Sequence, residues 1–241
     1  MRPVPRLGIN NVRYVRPHDE GGQSKEIRGP MGLFSAIGKQ LQHPRGPFGK
    51  ALFRWMTKKT IAHARWTADL MNVQPDDDVL EIGFGNGANI ELLAQRASNG
   101  HVAGAEVSET ALEMASKRNA QAISEGRVKL HRAAGGALPF DDGRFDKACT
   151  VATVYVIADP GAVFREMHRV LKPNGLAAVT FPVRENFVRF KPTRTEGFYL
   201  HELADLEAAF RDAGFIEPRT ERNDTVRFGS HCMLGRKPAT N

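Results

Sequence analysis

Between Val79 and Gly87 the sequence reads VLEIGFGNG, with one acid, Glu81, inside an apolar run and then Gly83, Gly85 and Gly87. Glycines at such a turn permit positive φ and let backbone amides approach a ligand closely. A second acid, Glu106, ends another apolar run at roughly the twenty-residue spacing where an acid holds ribose hydroxyls. Two ligand chemistries compete for this pattern. Gly83-x-Gly85-x-x-Ala88 fits the dinucleotide fingerprint, in which a diphosphate rests on a helix N-terminus. Glu81 sits poorly beside a diphosphate but suits a cationic amino-acid end, an attraction on the order of 1 to 4 kcal/mol at about 4 Å. The sign of that charge favours a cofactor that joins a ribose to a cationic group. Eight His and two Cys form no HxxxH or CxxC pair, so no metal site is expected. Cys149 and Cys232 read as reduced, buried thiols of a cytoplasmic protein.

The elements that must hold these residues alternate. Strands are predicted over 78–83, 101–107, 128–132, 145–151 and 175–182. Between them, Ile90, Leu92 and Leu93 turn one helix inward, and Ser108 followed by Glu109 caps another. Pro160 opens a third, with Val163, Phe164, Met167, Val170 and Leu171 at helical spacing, and Lys172-Pro173-Asn174-Gly175 stops it. His201–Ala213 is a fourth, followed by short β-like pieces over 220–237. Strand and helix in alternation mean a parallel sheet covered on both faces: an α/β, doubly wound fold. In such sheets a ligand binds beyond the carboxyl ends of the strands, where the glycine turn lies.

At VLEIGFGNG (79–87), VAGAEVS (102–108), ALPFDDGRFD (137–146), DP (159–160) and LKPNGL (171–176), in that order, the sequence resembles the class I S-adenosylmethionine-dependent methyltransferases. The likeness is to their small-molecule, ubiquinone/menaquinone-methyltransferase branch and covers roughly residues 50–237. It implies a mostly parallel seven-stranded, Rossmann-like sheet with an N-terminal helical cap. It also implies S-adenosylmethionine as methyl donor and S-adenosylhomocysteine as product. By that likeness Glu81, Gly83, Gly85, Gly87 and Thr150 would hold the cofactor, Glu106 its ribose, and Val107 its adenine. One position departs: relatives carry an Asp where this chain has Ala134, which leaves the backbone near Gly135 to meet the base.

The sulfonium is already an activated donor, so transfer needs alignment and dryness more than a catalytic triad. The stretch 150–157 is expected to line the transfer face, with Tyr155 to position the acceptor and His201, or alternatively His231, as candidate bases. Trp55, His63 and Trp66, from helices predicted over 31–72, are expected to fold over the cleft and meet the substrate. Residues 1–30 read as a basic tail and 73–241 as the cofactor-binding domain. Charge is lopsided: residues 1–65 carry 13 Lys and Arg against 3 Asp and Glu, the remainder 21 against 24. No apolar run approaches the roughly 18 residues of a membrane span, and the Arg-rich start lacks the apolar core of a secretory signal. The expected function is methyl transfer to an N, O, S or C nucleophile of a small molecule. A second reading places a lipid headgroup or lipophilic quinol at a membrane touched by residues 31–59. A third makes the chain a nucleic-acid-binding or non-catalytic cofactor-binding protein, although it carries no readout element for nucleic acid.

Overall fold

The computed structural model describes residues 31–42 and 46–239, leaving aside the side chains of 31–35, 47, 48, 50 and 53–59. The basic tail expected over 1–30 lies outside the described residues. Helices α1 (Met31–Gln42) and α2 (Gly46–Met71) precede β1 (Val79–Ile82), α3 (Ala88–Arg96), β2 (Val102–Glu106), α4 (Glu109–Arg118), α5 (Ala120–Ser124) and β3 (Val128–Arg132). Then come β4 (Phe145–Val151), a 3₁₀ turn (Val154–Val156), α6 (Pro160–Val170), β5 (Leu171–Pro182), α7 (Arg184–Phe187), a second 3₁₀ turn (Lys191–Arg194), α8 (Leu203–Asp212), β6 (Ile216–Asn223) and β7 (Ser230–Arg236).

The seven strands lie in the order β3-β2-β1-β4-β5-β7-β6. All neighbours run parallel except β7, which is antiparallel to both β5 and β6. The chain steps outward from β1 to β3 and then resumes on the other side at β4. The reversal therefore falls between β1 and β4, the place where open α/β sheets take ligands. Among the described residues no helix is long and apolar enough to cross a membrane.

Period-two alternation sorts the core. Leu80, Ile82 and Ala148 face the layer built by Val163, Phe164 and Met167 of α6 and Leu206 and Phe210 of α8. Val79, Val102, Val128 and Cys149 face the opposite layer, built by Ala68 and Met71 of α2, Ile90 and Leu93 of α3, and Ala115 of α4. Polar caps fix the helix starts that aim at the cleft. Ser108 accepts from the Ala111 amide, and Asp159 accepts from the Ala162 amide with Pro160 next to it.

Beyond shifts of one or two residues at the ends of β1, β2 and α8, two elements differ from the sequence reading. β5 begins at Leu171, four residues before the expected Gly175, because Asn174 takes φ +63° and carries the Lys-Pro-Asn-Gly turn as an irregularity within the strand. The β-like pieces become one hairpin, β6–β7. The acidic turn Asp76-Asp77-Asp78 is structural: Asp77 pairs with Lys147, and Asp78 with Arg144 and Lys172, at the N-terminal edge of the strands.

Candidate active site

A cavity of about 420 Å³ opens at the C-terminal ends of β1, β2, β3 and β4. One half is lined by the glycine turn, Glu81, Glu106, Val107 and the loop 133–136; the other by Tyr155, Phe187, Phe190, Phe198, Leu41 and Ile61.

The turn explains its glycines in two ways. Gly83, Gly85 and Gly87 adopt φ of +76°, +55° and +76°, a region that L side chains rarely enter. At two of them the intruder is the protein itself. A Cβ on Gly83 would stand 2.4 Å from Thr153 Cγ2, and one on Gly87 2.7 Å from Ala115 Cβ. The expectation that all three were cleared for a ligand is therefore too simple. Gly85 donates its amide to Glu106 Oε2 at 3.1 Å, and the Ser108 amide reaches Oε1 at 2.9 Å. Two backbone donors thus lock the Glu106 carboxylate at the cavity edge, with lone pairs left to accept from a diol. Beside it Val107 is an apolar side chain left 49% exposed, which suits a flat base laid over it.

Glu81 is buried, and it receives the Asn89 amide group on Oε1 at 2.9 Å. Among the described residues Glu81 Oε2 and Asn89 Oδ1 are buried acceptors without a hydrogen-bond partner. Burial, and secondarily the charge of Glu106, push the Glu81 carboxyl from its ordinary 4.5 up to about 8, against the lowering effect of the Asn89 bond. Two orphaned acceptors in a cavity wall are the counterpart of a cationic donor, so these residues fit an ammonium group. On the base side, Gly135 is glycine because a Cβ would meet Ile82 Cγ2 at 2.7 Å. Ala134 lines the wall with no side chain to accept an adenine amine.

The acceptor half follows β4. Ala152 carries a strained φ of +54°, and Thr153 leads into the turn that presents Tyr155. The Tyr155 ring lies 4.7 Å from Phe187 and stacks at 5.9 Å on Phe198. Burial pushes its hydroxyl well above the usual phenol range, so the phenol keeps its proton at neutral pH.

Several expected residues lie elsewhere. His201 is outside the cavity lining, and its Nε2–H is spent on the Ile157 carbonyl at 2.9 Å. His231, the alternative base, is on β7 against Phe181 and also outside the lining. Alternation along β4 sends Thr150 to the same side as Ala148, fully buried and away from the cavity. His63, on the face of α2 turned toward β7, is buried and shares a 2.5 Å hydrogen bond with Ser230 Oγ, and burial lowers its pKa to about 4. Trp66 packs on the α2–α3–α4 side of the core. Trp55 falls on α2 among side chains outside the described ones. Thr153 was read only as part of the stretch 150–157, while Asn89, Phe187, Phe190 and Phe198 went unread. The aromatic run from Phe187 to Tyr199 was the available signal for the last three.

The methyltransferase domain family matches residues 80–179 of this chain. An uncharacterized methyltransferase of Bacillus subtilis, YdaC, is 28% identical over 176 residues, which span 73% of this chain and 92% of that protein. A 2-phytyl-1,4-naphtoquinone methyltransferase of Nostoc sp. is 30% identical over 163 residues, 66% of this chain and 69% of that one. Among solved structures, geranyl diphosphate C-methyltransferase of Streptomyces coelicolor superposes with a TM-score of 0.62 at 15% identity, covering 73% of this chain and 77% of the other. That structure holds Mg2+, geranyl diphosphate and S-adenosyl-L-homocysteine, and the likeness is one of fold.

Proposed function

We propose an acceptor for this chain, which belongs to the class I S-adenosylmethionine-dependent methyltransferases: an apolar, flat small molecule held against Tyr155, Phe187 and Phe198. The observation that supports it is one continuous cavity, running from Glu106 and the glycine turn at one end to that aromatic wall at the other. The family match gives the nucleic-acid and non-catalytic readings no support.

S-adenosylmethionine, when bound, would supply an activated methyl group on a positive sulfur, with S-adenosylhomocysteine as the leaving group and the acceptor's proton lost to solvent. The chain's residues prepare that event. Glu106 accepts from the ribose diol, Glu81 and Asn89 receive the ammonium, and Val107 covers the base. Tyr155 and the phenylalanines align the acceptor and keep water out, which is where such a displacement gains most.

Labelled-methyl transfer to a naphthol should exceed transfer to the zwitterion sarcosine, and Tyr155→Ala should lower the naphthol rate about 10- to 100-fold through lost aromatic packing. Tyr155→Phe should keep most of that rate. Preference for sarcosine would remove the apolar acceptor.

Glu81 sets a pH dependence. Its pKa is raised in the folded chain from 4.5 to about 8, so between these values the folded state holds a proton that the unfolded state has lost. Its contribution to stability is therefore fullest below pH 4.5 and declines up to about pH 8, at no more than about 1.4 kcal/mol per pH unit. An arriving ammonium favours the ionised carboxylate, so binding at neutral pH expels that proton. Affinity for S-adenosylhomocysteine should rise between pH 6.5 and 7.5, by up to about tenfold, and Glu81→Gln should flatten the profile. A flat wild-type profile contradicts this role for Glu81.

A further inference from the structure

Thr153 touches both halves of the cavity. Its Oγ1 lies 3.2 Å from the Gly83 carbonyl and 3.1 Å from the Val151 carbonyl. One hydroxyl proton faces two acceptors, so it can be given fully to the Gly83 carbonyl or to the Val151 carbonyl but not to both. The methyl group of the same side chain fills the space that a Cβ on Gly83 would need. The preceding residue, Ala152, stands at φ +54° in a conformation that costs on the order of 1 to 3 kcal/mol unless its surroundings hold it.

From Thr153 the connection continues outward. The Val156 amide donates to the Thr153 carbonyl at 2.9 Å and the Ile157 amide to that of Val154 at 3.1 Å, closing the turn that carries Tyr155. Behind it the Tyr199 amide donates to the Tyr155 carbonyl at 2.7 Å, and the His201 ring holds the Ile157 carbonyl. The residue expected to be a base is thus the outer clamp of this turn. Phe198, next to Tyr199, stacks on the Tyr155 ring.

We propose that Thr153 is a positioning residue that couples occupancy of the glycine turn to the placement of the Tyr155–Phe198 wall. Resting on the cofactor reading above, this adds an order to it: filling the cofactor half fixes the wall against which the acceptor is then aligned. A Thr that merely closes its own turn would affect stability but would not carry a ligand signal to Tyr199.

Amide hydrogen exchange with and without saturating S-adenosylhomocysteine reads the coupling without an acceptor. The Tyr199 amide, outside the cavity lining, should slow about tenfold on saturation of the wild type. Thr153→Val keeps the shape and loses the hydroxyl. At saturation, whatever its affinity, it should lose the slowing at Tyr199, and Thr153→Ser should restore it. Unchanged exchange at Tyr199 in the saturated wild type overturns the proposal whatever the variants do. So does slowing that persists in Thr153→Val, or that Thr153→Ser fails to restore. Failure of S-adenosylhomocysteine to bind the wild type is a separate outcome, which removes the cofactor assignment and this coupling with it.

Discussion

Gly83→Val is expected to destabilise the free protein by about 2 to 6 kcal/mol, and to abolish cofactor binding in whatever fraction stays folded. Two costs combine. At φ +76° a β-branched residue is strained, by about 1 to 3 kcal/mol. Its Cβ would also stand 2.4 Å from Thr153 Cγ2, forcing apart the turn and the segment after β4, an overpacking cost of about 1 to 3 kcal/mol. Gly143 separates the two causes, since its φ is +64° but nothing lies within 4 Å of its Cβ position. Gly143→Val should therefore show the strain alone. Denaturant unfolding of both variants measures the difference, and equal losses would mean that Thr153 does not crowd Gly83.

That contact also marks where sequence reading stops. The strands over 128–132 and 145–151 were legible to the residue: apolar Val128 and Leu130 alternate with Lys129 and His131 in the first, and Ala148, Cys149 and Thr150 form a buried run in the second. β6 was not: most of its residues are exposed, so no buried alternation exists to be read. Glu81, the glycines and Glu106 were legible as a group because two strand ends bring them together in a fixed local pattern. Thr153 carries no such pattern. Its place against Gly83 follows from β1 and β4 being neighbours across the switch point. The aromatic wall was hidden for a similar reason. Phe187, Phe190 and Phe198 sit in an irregular connector between β5 and α8, and Leu41 and Ile61 arrive from the N-terminal helices. The histidines misled in the other direction. A sequence shows an imidazole but not that its nitrogen is already spent, on Ile157 in one case and on Ser230 in the other.

Among changes that leave the glycine turn intact, Glu106→Ala carries the largest expected effect on affinity. The carboxylate is fixed by the amides of Gly85 and Ser108, so on the proposed reading its remaining lone pairs would accept from a ribose diol without reorganisation. Loss of hydrogen bonds to a charged acceptor should cost about 2 to 4 kcal/mol, roughly 30- to 1000-fold in affinity. Calorimetric titration of S-adenosylhomocysteine into the wild type and Glu106→Ala, with NAD as the competing ligand class, tests the cofactor site most directly. The expected result is saturable one-to-one binding to the wild type, weakened by that factor in the variant, with no heat from NAD. Binding of NAD without binding of S-adenosylhomocysteine, or an unchanged dissociation constant in Glu106→Ala, would contradict it.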